Sequence, residues 1–160
     1  MYSLYLLTGG RAGDRAVSAL LQRTIEHRTA RAEEAPRAPG EFLVHHYVRG
    51  HEDRAWLRYL VEEALARGAG PIPHEAERAR VMARQVDEIR GRQAEGLIDE
   101  EFDPATLRLV AFALTSYPHL LPQVVRLATG YHPDSPEFDV IRQRVLRQVG
   151  ARLGNSAEAG

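Results

Sequence analysis

Asp103-Pro104-Ala105-Thr106-Leu107-Arg108-Leu109-Val110-Ala111-Phe112-Ala113-Leu114-Thr115-Ser116-Tyr117-Pro118, continuing through Leu120-Leu121-Pro122-Gln123-Val124-Val125 to Thr129-Gly130, is the stretch whose reading decides the fold. Asp103 can accept from the exposed N–H groups of a first helical turn, and Pro104 sits where its missing N–H costs nothing. Between Leu107 and Leu114 the only charge is Arg108. A helix apolar on nearly every side needs two partners, its own domain on one face and something else on another. A second such helix opens at Asp134-Ser135-Pro136-Glu137 and carries Phe138, Val140, Ile141, Val145, Leu146 and Val149. Paired with their symmetry mates, the two segments Pro104 to Gly130 and Pro136 to Leu153 predict a four-helix homodimer interface. Its candidate residues are Leu109, Phe112, Val124, Phe138, Ile141 and Val145.

Upstream, the apolar periodicity stays helical. Val17, Leu20, Leu21 and Ile25 predict an amphipathic helix over about 14–34. The prolines and glycine of Ala35-Pro36-Arg37-Ala38-Pro39-Gly40 end it. Phe42, Leu43, Val44, Tyr47 and Val48 predict a short helix stopped near Gly50. The next begins at His51-Glu52-Asp53, and Trp56, Leu57, Leu60, Val61, Ala64 and Leu65 give it the look of a central core helix, closed by Gly68 and Gly70. From about His74 to Glu95, Val81, Met82, Val86 and Ile89 form a narrow stripe on a charged helix. Period-two alternation and hairpin dipeptides are missing, so the fold class is all-α. At 160 residues the chain is one domain's worth.

Composition narrows the function classes. A formal charge of -1 is the wrong balance for a domain devoted to phosphate backbone. The cysteine count of zero excludes disulfides and thiolate metal sites, and is consistent with a reducing cytoplasm. Met1 to Thr8 is too short and unflanked for a signal peptide, and no apolar run reaches spanning length, so a soluble cytoplasmic protein with no membrane partner is expected.

His45-His46, with His51 and His74, invites a metal reading. Adjacent helical residues diverge by about a hundred degrees, and no further ligand completes a set, so no metal is expected. Asp99, Glu100, Glu101 and Asp103 read as charges complementing a helix start rather than catalytic carboxylates. Gly9-Gly10-Arg11-Ala12-Gly13 lacks a preceding strand and reads as a turn. With no nucleophile elbow or phosphate-cradling loop, neither catalytic residue nor cofactor is assigned, and the protein is not expected to be an enzyme.

Several of these segments resemble the TetR family of transcriptional regulators. Gly9 to Gly13 with its following helix is similar to the passage from recognition helix to connecting helix. Asp53 to Leu65, with Trp56-Leu57-Arg58 and Glu63-Ala64-Leu65, resembles the family's central helix. Gln93-Ala94-Glu95-Gly96-Leu97-Ile98-Asp99 with Phe102-Asp103-Pro104 resembles the lead into the first dimerisation helix. Tyr117-Pro118-His119-Leu120-Leu121-Pro122-Gln123 with Leu127-Ala128-Thr129-Gly130 resembles a branch in which prolines interrupt that helix.

The resemblance implies a C-terminal-domain-like helical bundle with a two-helix dimerisation face. On this reading residues 1–10 are a remnant of the junction to a missing DNA-binding head. Residues 11–154 form the effector-binding and dimerisation domain, and 155–160 a flexible tail. It implies a homodimer that senses a small apolar effector and couples its binding to DNA release, meeting DNA only through a head outside this chain. The implied cavity draws on Phe42, His45, His46, Tyr47, Trp56, Tyr59, Met82, Val86 and Tyr117, with Arg58 a further polar handle. The rival expectation is a structural all-α dimerisation or adaptor module with a filled core and no ligand.

Overall fold

The computed structural model describes residues 35–52 and 54–154, together with Ala19, Gln22 and Arg23. Most of the helix expected over 14–34, the junction at 1–10 and the tail at 155–160 lie outside the described residues. Among those described there are six helices and no strand, as an all-α chain requires. They are α1 (Pro39–Glu52), α2 (Arg54–Arg67), α3 (Glu75–Ala94), α4 (Pro104–Leu120), α5 (Pro122–Thr129) and α6 (Pro136–Ala151). Two compact units divide them, a first containing residues 55–83 and a second containing 35–54 with 84–154.

The second unit is built on α1, which packs against both α6 and α4. Phe42, Leu43, Val44 and Tyr47 from α1 meet Ile89, Ile98, Leu107, Ala111 and Leu146 in one continuous core. Small residues permit the close crossing of α1 and α6: a Cβ on Gly150 would lie 2.3 Å from the Gly40 Cα and N. Polar side chains then pin the connections. Buried Arg92 donates to the carbonyls of Pro36 at 3.0 Å and Arg37 at 3.3 Å, its guanidinium 4.2 Å from the Phe42 ring centroid. Gln93 Nε2 donates to Asp99 and Phe102 carbonyls at 3.0 and 2.9 Å, shaping the lead into α4. The Asp99 N–H closes on the Leu153 carbonyl at 2.8 Å.

Capping follows the sequence where α4 and α6 begin. Asp103 accepts from Thr106 N–H at 2.7 Å, and Ser135 from Phe138 N–H at 3.2 Å, each with proline just inside.

Two expectations need correction. Pro39-Gly40 does not merely end a preceding helix; Pro39 opens α1, because proline suits a first helical turn. Gly50 does not stop α1 either, which runs on to Glu52. That glycine is buried against His119, whose ring atoms a Cβ would meet at 2.4 Å, so its smallness serves packing rather than termination. On α2, Leu57 and Tyr59 are buried while Leu65 is 83 % exposed. The interruption by proline falls at Pro122: α4 continues through Pro118 to Leu120, and α5 begins at Pro122.

Taken by itself, the first unit ties α2 to the start of α3 through an ion pair between buried Glu63 and half-buried Arg78. Glu63 is 3 % exposed, accepts from the Tyr59 hydroxyl at 2.7 Å, and pairs with Arg78 at 2.8 Å.

Candidate functional site

An exposed apolar face, an aromatic–polar cluster and a helix turn interrupted by proline are the features of the second unit that sequence alone singled out only in part. On α4, Leu109, Val110 and Tyr117 are exposed, Leu109 by 65 %. On α6, Val140, Ile141 and Val145 are exposed as well. Helical spacing explains the division of each helix. Leu107 and Ala111 turn inward while Leu109 and Val110 turn outward, and on α6 Phe138 and Leu146 are buried while Ile141 and Val145 are not. Of the six interface candidates, Leu109, Ile141 and Val145 offer open surface, and Phe112 and Val124 are half-buried. Phe138, 5 % exposed, is spent on its own unit and has little area left for a partner.

The second cluster surrounds Tyr47, which is fully buried. Its ring stacks on His119 with centroids 5.2 Å apart, and His51 stands edge-on to both rings, at 5.6 Å from Tyr47 and 4.5 Å from His119. The His119 Nε2–H donates to the Tyr47 carbonyl at 3.0 Å. Burial lowers the His119 pKa to about 4, against the opposing pull of that bond, so the ring is neutral near pH 7. Burial, seconded by the Asp139 carboxylate, pushes the Tyr47 phenol up to about 12. Arg54 pairs with Asp134 beside this cluster and lies 3.1 Å from His51 Nδ1.

Pro118 explains why α4 needs help here. It has no N–H to give the Leu114 carbonyl four residues back, and the Arg142 guanidinium, reaching over from α6, donates to that oxygen instead. Neighbouring turns are reinforced by Thr115 and Ser116, whose hydroxyls donate to the Ala111 and Phe112 carbonyls at 2.9 and 2.6 Å.

The other ligand candidates distribute as follows. In the second unit Phe42 is core, with His46 edge-on at 4.4 Å and His45 a further 5.6 Å from His46. Val86 is half-buried and Tyr117 exposed. In the first unit Trp56 stacks on Tyr59 at 5.5 Å, with the Arg78 guanidinium 5.6 Å from the indole, while Met82 and Arg58 are exposed. Burial, then the bond to Glu63, pushes the Tyr59 phenol up to about 12. The structure therefore brings Phe42, His46 and Tyr47 together, and separately Trp56 and Tyr59.

Sequence reasoning missed Glu63, Arg92, His119 and Arg142 as buried or half-buried polar groups. Tyr59 and Glu63 stand four apart on one helix face, a signal available in advance. Likewise, a mid-helix proline announces a carbonyl needing an outside donor, though not which residue supplies it.

Residues 40–152 match the family described as tetracyclin repressor-like, C-terminal domain. A curated relative, the HTH-type transcriptional repressor SCO4008 of Streptomyces coelicolor, is 32 % identical over 74 residues, which is 46 % of this chain. The match spans only 38 % of that repressor's own length.

Proposed function

We propose, from the premise that this chain belongs to the TetR family through its C-terminal domain, that it is the ligand-sensing and homodimerising part of a cytoplasmic transcriptional regulator. The relative's printed role as a helix-turn-helix repressor supports regulation rather than catalysis. In this reading an effector bound by the domain shifts it between arrangements that favour and disfavour DNA. It does so only to the extent that it binds the two with different affinity.

The observation that carries the dimer is the outward apolar face of α4 and α6. Leu109, Val110, Val140, Ile141 and Val145 are all at least 40 % exposed on helices whose opposite faces are buried. Leaving them wet forfeits roughly 25 cal/mol for each Å² of apolar surface. A second copy offering the same two helices covers them, with at least about 1,000 Å² buried in total. Phe138 takes no part, whereas Leu109, Ile141 and Val145 form the centre, with Phe112 and Val124 at its margin.

Light scattering at micromolar concentration tests this directly: the wild type should run as a dimer and Ile141→Asp and Leu109→Asp as monomers. A monomeric wild type overturns the interface.

For the effector, the aromatic and imidazole groups of α1, namely Phe42, His45, His46 and Tyr47, supply an apolar surround with polar handles. A rival reading has support of its own. Phe42 and Tyr47 both belong to the continuous core, which suits a ligand-free dimerisation module. A thermal-shift screen separates them, because a ligand at a hundred times its dissociation constant adds about 2.7 kcal/mol to stability. If no small molecule raises the melting temperature, the adaptor reading stands.

A further inference from the structure

Two buried donors in the second unit have no account in packing or dimerisation. The Tyr47 hydroxyl meets no hydrogen-bond acceptor, and neither does the Nε–H of Arg142. Both side chains converge on one turn of α4. Arg142 reaches the Leu114 carbonyl freed by Pro118, while the Tyr47 ring stacks on His119, the next residue after that proline. A buried donor left unmade costs about 1–3 kcal/mol, so two at one place require a compensating role.

Their chemistry is specific. With its pKa pushed up to about 12, Tyr47 is a protonated donor at any physiological pH. Arg142 is a permanent cation whose charged form burial disfavours, and no carboxylate among the described residues pairs with it. Asp139, the acid beside Tyr47, makes no hydrogen bond of ordinary geometry to the phenol and accepts instead from Gln143 at 2.8 Å. Beyond Asp139, the Tyr47 and His119 rings have His51 and the Arg54–Asp134 ion pair beside them, and Asp134 already spends its carboxylate on Arg54. A carboxylate supplies what this place lacks, since one oxygen accepts from each donor and the charge offsets the guanidinium. Asp139 opposes a second negative charge, which disfavours phosphate.

We propose that Tyr47 and Arg142 form the polar end of the effector site, and that the effector is a monoanionic organic acid with an apolar body. This rests on the effector-sensing reading above and deepens it. The Leu114 carbonyl is held by the same guanidinium, so the acid's carboxylate bears directly on the proline turn of α4, a helix of the proposed dimer face.

The test uses the full chain and matched probes: benzoate with benzamide, octanoate with octanamide, indole-3-acetate with indole-3-acetamide, and inorganic phosphate. Thermal shift and calorimetric titration are run on wild type, Tyr47→Phe and Arg142→Lys. At least one acid should raise the melting temperature while its amide and phosphate do not. Tyr47→Phe keeps the ring stacked on His119 and removes only the unmade bond. It should weaken that acid by about tenfold while leaving the free protein at least as stable as wild type. Arg142→Lys should weaken it by at least as much. Should Arg142→Lys fail to fold, Tyr47→Phe decides alone. Amides that bind as well as acids overturn the proposal but leave an effector site standing. A panel in which neither acids nor amides bind sinks the acid proposal and the sensing reading together. Unchanged acid affinity in Tyr47→Phe places the carboxylate elsewhere and equally overturns it.

Discussion

His119 shows how one residue's environment becomes a measurable property of the whole chain. Its folded pKa of about 4 lies below the ordinary value near 6.5, so the native state binds fewer protons than the unfolded one between those limits. The stability it contributes is complete above about pH 6.5 and is lost as pH falls toward about 4. Replacing it by Gln retains a donor for the Tyr47 carbonyl but removes the titration. Urea unfolding from pH 7 to 4 should therefore show a shallower decline for His119→Gln than for wild type, and parallel declines would refute the assignment. Gly50→Ala probes the same contact sterically. Its Cβ would stand 2.4 Å from the His119 ring, forcing the imidazole off Tyr47, at a cost of about 1–3 kcal/mol in the same unfolding experiment. Neither effect was legible in the sequence, where Gly50 reads as a helix stop and His119 as one more histidine. What makes both matter is a contact between residues 69 positions apart, which no local pattern encodes.

At the scale of the helix, the six elements were largely legible because their cause is local. Apolar residues at helical spacing, Asp103-Pro104 and Ser135-Pro136 at two starts, and Gly96 and Gly130 with positive φ past two ends each act within a turn of themselves. Crossings are another matter, and two glycines separate the cases. At Gly150 on α6 a Cβ would strike the backbone of Gly40 at 2.3 Å, so Gly150→Ala must push α1 from α6 and should cost at least about 3 kcal/mol. At Gly91 on α3 nothing lies within 4 Å, and Gly91→Ala should stabilise by about 0.5–1 kcal/mol through helix propensity alone. Urea denaturation of both variants settles the pair; equal effects would mean that the close crossing is not what the geometry implies. Ser135→Ala belongs to this scale too. Losing its cap on the Phe138 N–H should cost about 1 kcal/mol without altering oligomeric state, as melting and light scattering can read.

For the whole molecule, the proposed dimer makes stability depend on concentration. Association through α4 and α6 adds free energy by mass action, so the melting temperature should rise as protein is raised from low to high micromolar. Ile141→Asp should abolish that dependence, because a charge is then forced into the apolar seam. A flat wild-type profile would count against the interface. The amino-acid sequence by itself determined the all-α class, the near-neutral charge and the two helices too apolar to be left alone. Those follow from periodicity and composition, which are properties of neighbouring residues. Only the tertiary structure decided which face of each helix is consumed internally, turning Phe138 inward and Ile141 outward. It also set Arg142 against the carbonyl that Pro118 leaves open. The physical reason is that burial and hydrogen-bond satisfaction are settled between segments distant in the chain. Spacing can say that a face must be covered or a carbonyl satisfied, but not by which residue.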